Sequence, residues 1–301
     1  MITCLDIGGS GIKGAFARSA SELSPLGRVG TPLHDPDAFM AAIAEVLARS
    51  PAAADAPVAI AIAGVVDPDT GTIKVANIPC IDGLPLAAVL ADRLKRPVTV
   101  GNDADCFALA EAMVGAGRSH RIVFGVILGT GVGGGLVIDG RLVTGRGGYA
   151  GEWGHAPVAA TRVGAPPVEL PRFACGCGLL GCVDTLGGAR GLERLHAHLG
   201  GPQLDSIAIL ERWQAGDIAA ARTIDCYAEI VAPPLALVVN VVGADIVPAG
   251  GGLANSSRLI ERLDREVRRR ILRTTDGPLV VQARLAIEPA LIGAAILGGL
   301  R

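Results

Sequence analysis

The sequence predicts an α/β protein built from a duplicated unit, two domains with a central cleft. Two observations carry that expectation. Ile2 to Ile7 and Ile122 to Leu128 are apolar runs of strand length; each enters a glycine turn, and further strand and then helix follow. The 42 glycines, about twice average usage, gather at 8–14, 129–135, 145–154, 176–191 and 250–252, at the ends of apolar runs. Glycine lets a backbone approach a ligand closely. Several such turns at strand ends point to a phosphate-rich ligand held by main chain.

Composition bounds the rest. The 301 residues can bury a sizeable core, and with half of them hydrophobic and 19% charged the chain is not disordered. A net charge of -2 argues against a nucleic-acid surface. The one basic run, Arg268-Arg269-Arg270, reads as a solvated helix end. Met1 to Asp6 has no basic leader and reaches an acid at once, and no apolar stretch reads as long enough to span a membrane, so a cytoplasmic protein is expected. Seven cysteines are an odd number in such a chain, which favours reduced thiols or a metal site over a disulfide framework.

The elements follow in order. Ile2 to Ile7 is a buried strand, and Phe16-Ala17 and Val29 continue an antiparallel meander. Asp35-Pro36 has the form of an N-cap with proline at the first helical position, and Phe39, Met40, Ile43, Val46 and Leu47 carry a helix to about Arg49. Val58 to Val66 is a strand, Leu84 to Leu94 a helix, and Val98 to Val100 a strand stopping at Gly101-Asn102-Asp103; a helix then covers Cys106 to Val114. Ile122 to Leu128 and Leu136 to Ile138 are strands about a turn at 129–135, and Asp139-Gly140 signals a hairpin. Gly145 to about Gly181 is irregular, and helices fill Gly188 to about Val241. Ala244 to Val247 is a strand entering Gly250-Gly251-Gly252; helices at 256–272, capped near Asn255, and at 289–297 close the chain.

Gly9 to Gly14 matches G-x-G-x-x-G after a strand, with Asp35 farther on, so a dinucleotide-binding oxidoreductase is one reading. That fingerprint needs a helix starting in the glycines. Here Ala15 to Ser21 fits a hairpin, and the same pattern at Gly129 to Gly134 is followed by strand. No G-x-x-x-x-G-K-[ST] P-loop is present. The better reading is Asp-x-Gly-Gly-Ser-x-x-Lys on a hairpin. Asp6 can hold hydrated Mg2+, the N–H groups of Gly8, Gly9 and Ser10 can face phosphate, and Lys13 can add charge.

Asp6-Ile7-Gly8-Gly9-Ser10 with Lys13, Gly129-Thr130-Gly131, and Gly250-Gly251-Gly252 resemble, in order, the first phosphate, second phosphate and adenosine motifs of the superfamily joining sugar kinases, actin and the heat-shock chaperone ATPases. Within it the chain resembles the ROK family of bacterial sugar kinases and repressors over essentially its whole length, most specifically from Gly148 to Gly188. The resemblance implies the duplicated actin-like, ribonuclease H-like ATPase fold. It divides the chain into a smaller domain at 1–105, completed by 289–301, and a larger one at 106–288. It implies ATP with Mg2+ as phosphoryl donor and a homodimer.

Phosphoryl transfer to a hydroxyl needs positioning, charge stabilisation and one base. By the resemblance, Asp103 takes the proton of the sugar 6-hydroxyl, and Asn102, Asn77 of Asn77-Ile78-Pro79, and Gly64 bind the sugar. Read without it, Asp103 would cap the helix from Cys106. Asp105 stands where the family usually has Asn. Glu152 and His155 of Glu152-Trp153-Gly154-His155 match a sugar-contacting motif, and Asp184 replaces the usual Glu, retracting that carboxylate by one methylene. Gly251 and Gly252 belong to the nucleotide side.

Cys175, Cys177 and Cys182 lie within eight residues, and with His155 they make a closed tetrahedral site for structural Zn2+, as the family carries. Cys4, Cys80, Cys106 and Cys226 read as core thiols, and His34, His120, His196 and His198 have no role. The function implied is ATP-dependent phosphorylation of a hexose 6-hydroxyl. N-acetyl-D-glucosamine is the first choice, with glucose and N-acetylmannosamine as rivals. The family's non-enzymatic repressors begin with a helix-turn-helix domain, for which a phosphate motif at residue 6 leaves no room, so an enzyme is expected.

Overall fold

The opening of the chain is a three-strand meander, β1 (Ile2–Gly8) and β2 (Gly11–Ser19) largely buried and β3 (Glu22–Val29) largely exposed. The computed structural model describes residues 1–300. Gly8 faces Gly11, so only Gly9-Ser10 bridges β1 and β2, the hairpin expected in place of a dinucleotide helix. The Asp35 carboxylate accepts the N–H groups of Asp37 and Ala38 to start α1 (Pro36–Leu47). β4 (Val58–Ile62) is fully buried; the run to Val66 is broken, and β5 (Val65–Val66) pairs instead with β6 (Ile73–Lys74). α2 (Leu86–Leu94) precedes β7 (Val98–Asn102).

α3 (Asp103–Val114) starts three residues earlier than the cysteine suggested. Asn102 is its cap, accepting the N–H groups of Ala104 and Asp105, so Asp103 is the first helical residue and not the cap. β8 (Ile122–Leu128) falls where expected, while β9 (Val132–Ile138) begins sooner, so the turn between them is short. Asp139 and Gly140 both adopt positive φ, and β10 (Arg141–Val143) returns.

The segment 145–181 is irregular apart from two short 3-10 turns, Arg146–Gly148 and Trp153–His155, and the small hairpin β11 (Arg162–Val163) and β12 (Val168–Glu169). Four helices follow: α4 (Asp184–Gly187), α5 (Ala189–His198), α6 (Ser206–Gln214) and α7 (Ile218–Val242). β13 (Val247–Gly250) begins where 244–247 was expected to end, because Ile246 still forms only an isolated bridge to Val123. Ser256, not Asn255, caps α8 (Ser257–Arg268). The three arginines at its end pair with Asp264 and Glu266, so they are an ion-paired helix end. β14 (Val280–Gln282), which periodicity missed, precedes α9 (Pro289–Leu297).

Two five-stranded sheets repeat one plan, β3-β2-β1-β4-β7 and β10-β9-β8-β13-β14. Strands β1, β4 and β7 are parallel, as are β8, β13 and β14. This is the duplicated actin-like α/β fold. By contacts, one unit comprises 1–118, 135–150 and 285–301, and the other 119–134 and 151–284. The first is packed around Leu5, Ile7, Ile60, Ile62 and Phe39 on one sheet face, with α9 against Ile2, Cys4, Ala59 and Cys106 on the other. In the second unit, α7 is long and apolar enough to cross a membrane by length and composition, although none was expected from the sequence. It packs on α5, α6 and α8, and the Tyr227 hydroxyl, buried at its centre, donates to the Gly187 carbonyl at 2.7 Å.

Candidate active site

In the first unit Asp6, the Gly8–Ser10 turn, Gly64, Asn102 and Asp103 lie at the carboxyl ends of parallel strands, where open α/β sheets place their ligands, while Lys13 comes from antiparallel β2 and Asn77 from the loop after β6. Asp6 and the Gly9-Ser10 turn end β1; Gly64 follows β4; Asn102 and Asp103 end β7. The Asn102 amide is doubly engaged. Its oxygen caps α3 and its nitrogen donates to the Gly64 carbonyl at 3.0 Å, which ties two strand ends together and leaves one N–H for a ligand. Asp103 stands in the first turn of α3, where the helix dipole favours a carboxylate. Asp105, in the same first turn, is buried. The Asn77 amide lies beside Gly9, so this expected sugar ligand borders the first glycine turn.

Burial raises the Asp6 pKa; Lys13 opposes the rise, Glu288 adds to it, and Arg28 opposes it. Among the described residues no hydrogen bond is made to the Asp6 carboxylate, whose oxygens can thus meet a cation or its waters. Lys13 is not a free charge: its ammonium meets both oxygens of Glu288, at 3.1 and 3.2 Å. Arg28 grips Ser10 through the backbone carbonyl at 2.9 Å and the hydroxyl at 3.0 Å. Thr31 donates to the Gly8 carbonyl at 2.6 Å. Sequence reasoning missed Arg28, Thr31 and Glu288. Arg28 lies on β3 and Glu288 is 275 residues from Lys13, and neither belongs to a motif.

In the second unit the Gly129–Gly131 turn is fixed by main chain. Gly129 donates to the Gly131 carbonyl at 3.0 Å and accepts from Ala189 at the start of α5 at 2.7 Å. Gly251, at φ +88°, packs so closely on Leu128 and Gly129 that a Cβ would stand 2.6 Å from the first and 2.7 Å from the second, so the second and third glycine motifs are neighbours. Asp184, expected at the sugar, accepts the Val132 N–H at 2.8 Å with Oδ1, and that oxygen crowds Gly131. A cavity of about 260 Å³ beside the turn is lined by Thr130, Gly131, Cys175, Asp184 and two residues that no motif flagged, Arg190 and Arg194.

Trp153 donates to the Gly133 carbonyl at 2.9 Å and stands edge-on to Phe124, which sets the short helical turn bearing Glu152 and His155. His155, Cys175, Cys177 and Cys182 bring one donor atom each within 4.8 Å of all the others. Tetrahedral zinc with bonds of about 2.3 Å holds sulfurs about 3.8 Å apart. Cys177 and Cys182 are separated by 3.7 Å, and Cys175 Sγ is 3.5 Å from His155 Nδ1. The other ring nitrogen is 3.5 Å from Glu152, the carboxylate–histidine arrangement that orients a metal ligand. The donor set and spacing therefore fit structural zinc. Burial raises the Glu152 pKa, His155 opposing and Asp184 reinforcing the rise. Cys4, Cys106 and Cys226 are buried outside this cluster.

The model described as "ROK family" matches residues 2–299. An N-acetylgalactosamine kinase of Shewanella sp. (strain ANA-3) is 38% identical, over 98% of this chain and 95% of the relative. An N-acetyl-D-glucosamine kinase of Pectobacterium atrosepticum is 34% identical, over 97% of each chain. The crystal structure of a ROK hexokinase from Thermus thermophilus superposes with a TM-score of 0.81 at 31% identity, covering 98% of this chain and 97% of that one.

Proposed function

The chain belongs to the ROK family, and from that premise we propose that it transfers the γ-phosphoryl group of ATP to the 6-hydroxyl of an N-acetylated hexosamine, N-acetyl-D-glucosamine first. It is a sugar kinase that uses ATP with Mg2+. One observation carries the residue assignment: the Asn102-Asp103 junction and the Asp6–Ser10 turn lie at the same edge of one sheet, with only β4 between their strands.

Asp103 is the base. Its carboxylate takes the proton of the 6-hydroxyl as that oxygen attacks the γ-phosphorus and ADP departs. Asn102 offers its remaining N–H to the sugar and holds Gly64 in place. Asn77, Glu152 and His155 recognise further hydroxyls, Glu152 by accepting two hydrogen bonds. Asp6 would hold Mg2+, which neutralises charge on the transferring phosphates. Gly8, Gly9, Ser10 and Lys13, then Gly129, Thr130 and Gly131, and finally Gly251 and Gly252 serve the nucleotide.

Asp184 contributes by bracing the second turn through Oδ1, and Oδ2, 3.8 Å from Cys175 Sγ, keeps a lone pair for the sugar. Structural zinc on His155, Cys175, Cys177 and Cys182 fixes the loop that carries these residues. A homodimer working in the cytoplasm is the accompanying reading, and sedimentation of the purified chain tests its first half.

The sequence alone did not weigh N-acetylgalactosamine, which the Shewanella relative adds to glucose and N-acetylmannosamine as a rival. The test is ADP release across a panel of these four hexoses, with Asp103→Asn as control. Turnover greatest with N-acetyl-D-glucosamine supports the reading. Preference for another hexose overturns the substrate, and no stimulation by any hexose overturns the kinase.

A further inference from the structure

Three strands place a row of charge across the first glycine turn. In the antiparallel register Asp6 faces Lys13, and Lys13 faces Arg28. Directly opposed side chains share one face of a sheet, where opposite charges attract and like charges repel. Lys13 is therefore pushed by Arg28 and drawn by Asp6. Arg28 cannot retreat, because Ser10 holds it through two hydrogen bonds. A lysine side chain is long enough to cover the carboxylate opposite, and a covered Asp6 could not receive a cation.

Glu288 prevents this. It lies at the start of α9, yet its side chain makes no capping hydrogen bond to that helix. It reaches Lys13 instead and engages the ammonium with both oxygens. The backbone there is costly. Glu288 sits at φ 48°, ψ 47°, the left-handed region that L residues avoid, and Pro289 follows, which disfavours helical angles in the residue before it. A pair with side chains 42% and 38% exposed contributes little to stability. A strained residue making a weak ion pair beside a functional carboxylate calls for a role at that carboxylate.

We propose that Glu288 is a positioning residue for the phosphoryl-transfer site: it draws the Lys13 ammonium off Asp6 and so keeps the Asp6 carboxylate open to the divalent cation that accompanies the nucleotide. This rests on the kinase reading. It predicts that loss of the Glu288 carboxylate weakens cation binding and not the chemical step.

The test is Mn2+ binding in the presence of ADP, followed by electron paramagnetic resonance, alongside the Mg2+ dependence of turnover at fixed ATP. In Glu288→Gln, Mn2+ affinity falls about five- to tenfold, the Mg2+ needed for half-maximal rate rises by a similar factor, and the deficit in rate is overcome by adding Mg2+. Glu288→Asp recovers part of the affinity. Glu288→Gly relieves the left-handed strain, so its thermal midpoint is at or above that of the parent while the cation defect persists, which separates positioning from folding. In a Lys13→Met background, Glu288→Gln adds no further defect. Unchanged Mn2+ affinity in Glu288→Gln, or the same increment with Lys13 removed, overturns the proposal. Mn2+ binding needs no sugar, so failure of the hexose panel leaves this readout intact and is told apart from failure here.

Discussion

The two glycine turns share the pattern G-x-G-x-x-G and a strand on either side, yet they are built on opposite principles. Around Gly9-Ser10 the strands carry Asp6, Lys13 and Arg28, and Glu288 joins them from α9. Around Gly129–Gly131 neither flanking strand contains a charged residue: β8 reads IVFGVIL and β9 reads VGGGLVI. That turn is held by backbone hydrogen bonds, by close packing of Gly251, and by Asp184 reaching in from the cysteine loop. The first turn is flanked by charged side chains. The second presents main chain, and its shape depends on the neighbours packed against it. A glycine pattern therefore says where backbone approaches a ligand; the side chains on its flanks decide what the turn does.

If that division is right, the largest effects come from side chains of the first unit. Asp103→Asn keeps the size of the residue and the Asn102 cap on α3, so the thermal midpoint should move little. Loss of a general base costs about 10²- to 10⁴-fold in kcat. KM for sugar and for ATP should stay within a few-fold. Steady-state kinetics with the preferred hexose checks this, and parental turnover in the variant would remove Asp103 from the role.

Next comes the loop that braces the second unit. Elemental analysis should find near-stoichiometric zinc, and Cys177→Ser should lose it. Disturbing the ligands of such a site or their supports costs about 10- to 100-fold in metal affinity or activity. The loss should appear in KM for the sugar, because Glu152 supports His155 directly. Hydrogen exchange should speed in 151–188 and leave the first sheet unchanged. A metal-free protein of full activity would contradict the bracing role.

Much of this contrast was readable in advance, for local reasons. Both turns, the Asp139-Gly140 hairpin, the Asp35 cap and the Cys–His cluster are signalled by residues within a few positions of one another. Asn102 was read as a sugar ligand only, because a cap declares itself by the helix it starts, and the apolar run from Cys106 drew that start three residues too late. β14 was missed since three residues show no period, and it exists because β13 and α8 receive it; Asp264 accepts the N–H groups of Leu279 and Val280. Glu288 and Arg28 reach the first turn only through tertiary structure. The Asp184–Val132 contact joins residues 52 apart and belongs to no motif.

Glycine substitution sharpens the comparison more finely. Gly131→Ala forces a Cβ onto the Asp184 oxygen that holds Val132, leaving that N–H without its partner. An unsatisfied buried donor costs about 1–3 kcal/mol, so the thermal midpoint should fall together with ATP affinity. A Cβ at Gly8 meets nothing within 4 Å. Gly8→Ala should fold as well as the parent and raise only KM for ATP, since the open space belongs to the ligand. Equal destabilisation by the two substitutions would erase the distinction between an open turn and a braced one.

The smallest effect tests whether the bracing of the second unit is sensitive to acid. His196 lies on α5, the helix whose first N–H holds Gly129. It is 1% exposed, and Nδ1 is 2.8 Å from the Thr223 hydroxyl. That hydroxyl donates its own hydrogen to the Ala219 carbonyl, so it must accept from Nδ1–H. Nε2 then bears no proton, and it has no partner among the described residues. Protonation would bury a charge and an unmatched donor together, and burial accordingly pushes the pKa below its ordinary 6.5. In the unfolded chain the ring takes up its proton as pH drops below about 6.5, while the folded protein resists until its lower pKa is reached. The stability His196 contributes is thus complete above 6.5 and is lost as pH falls through the folded value. Hydrogen exchange between pH 7.5 and 5 should therefore show α5 and the Gly129 turn loosening by more than any change in β1, β4 and β7. His196→Leu, though itself less stable, should flatten that pH dependence. A slope that survives in His196→Leu would place the titrating group elsewhere, and equal loosening of both sheets would mean that the second turn has no acid sensitivity of its own.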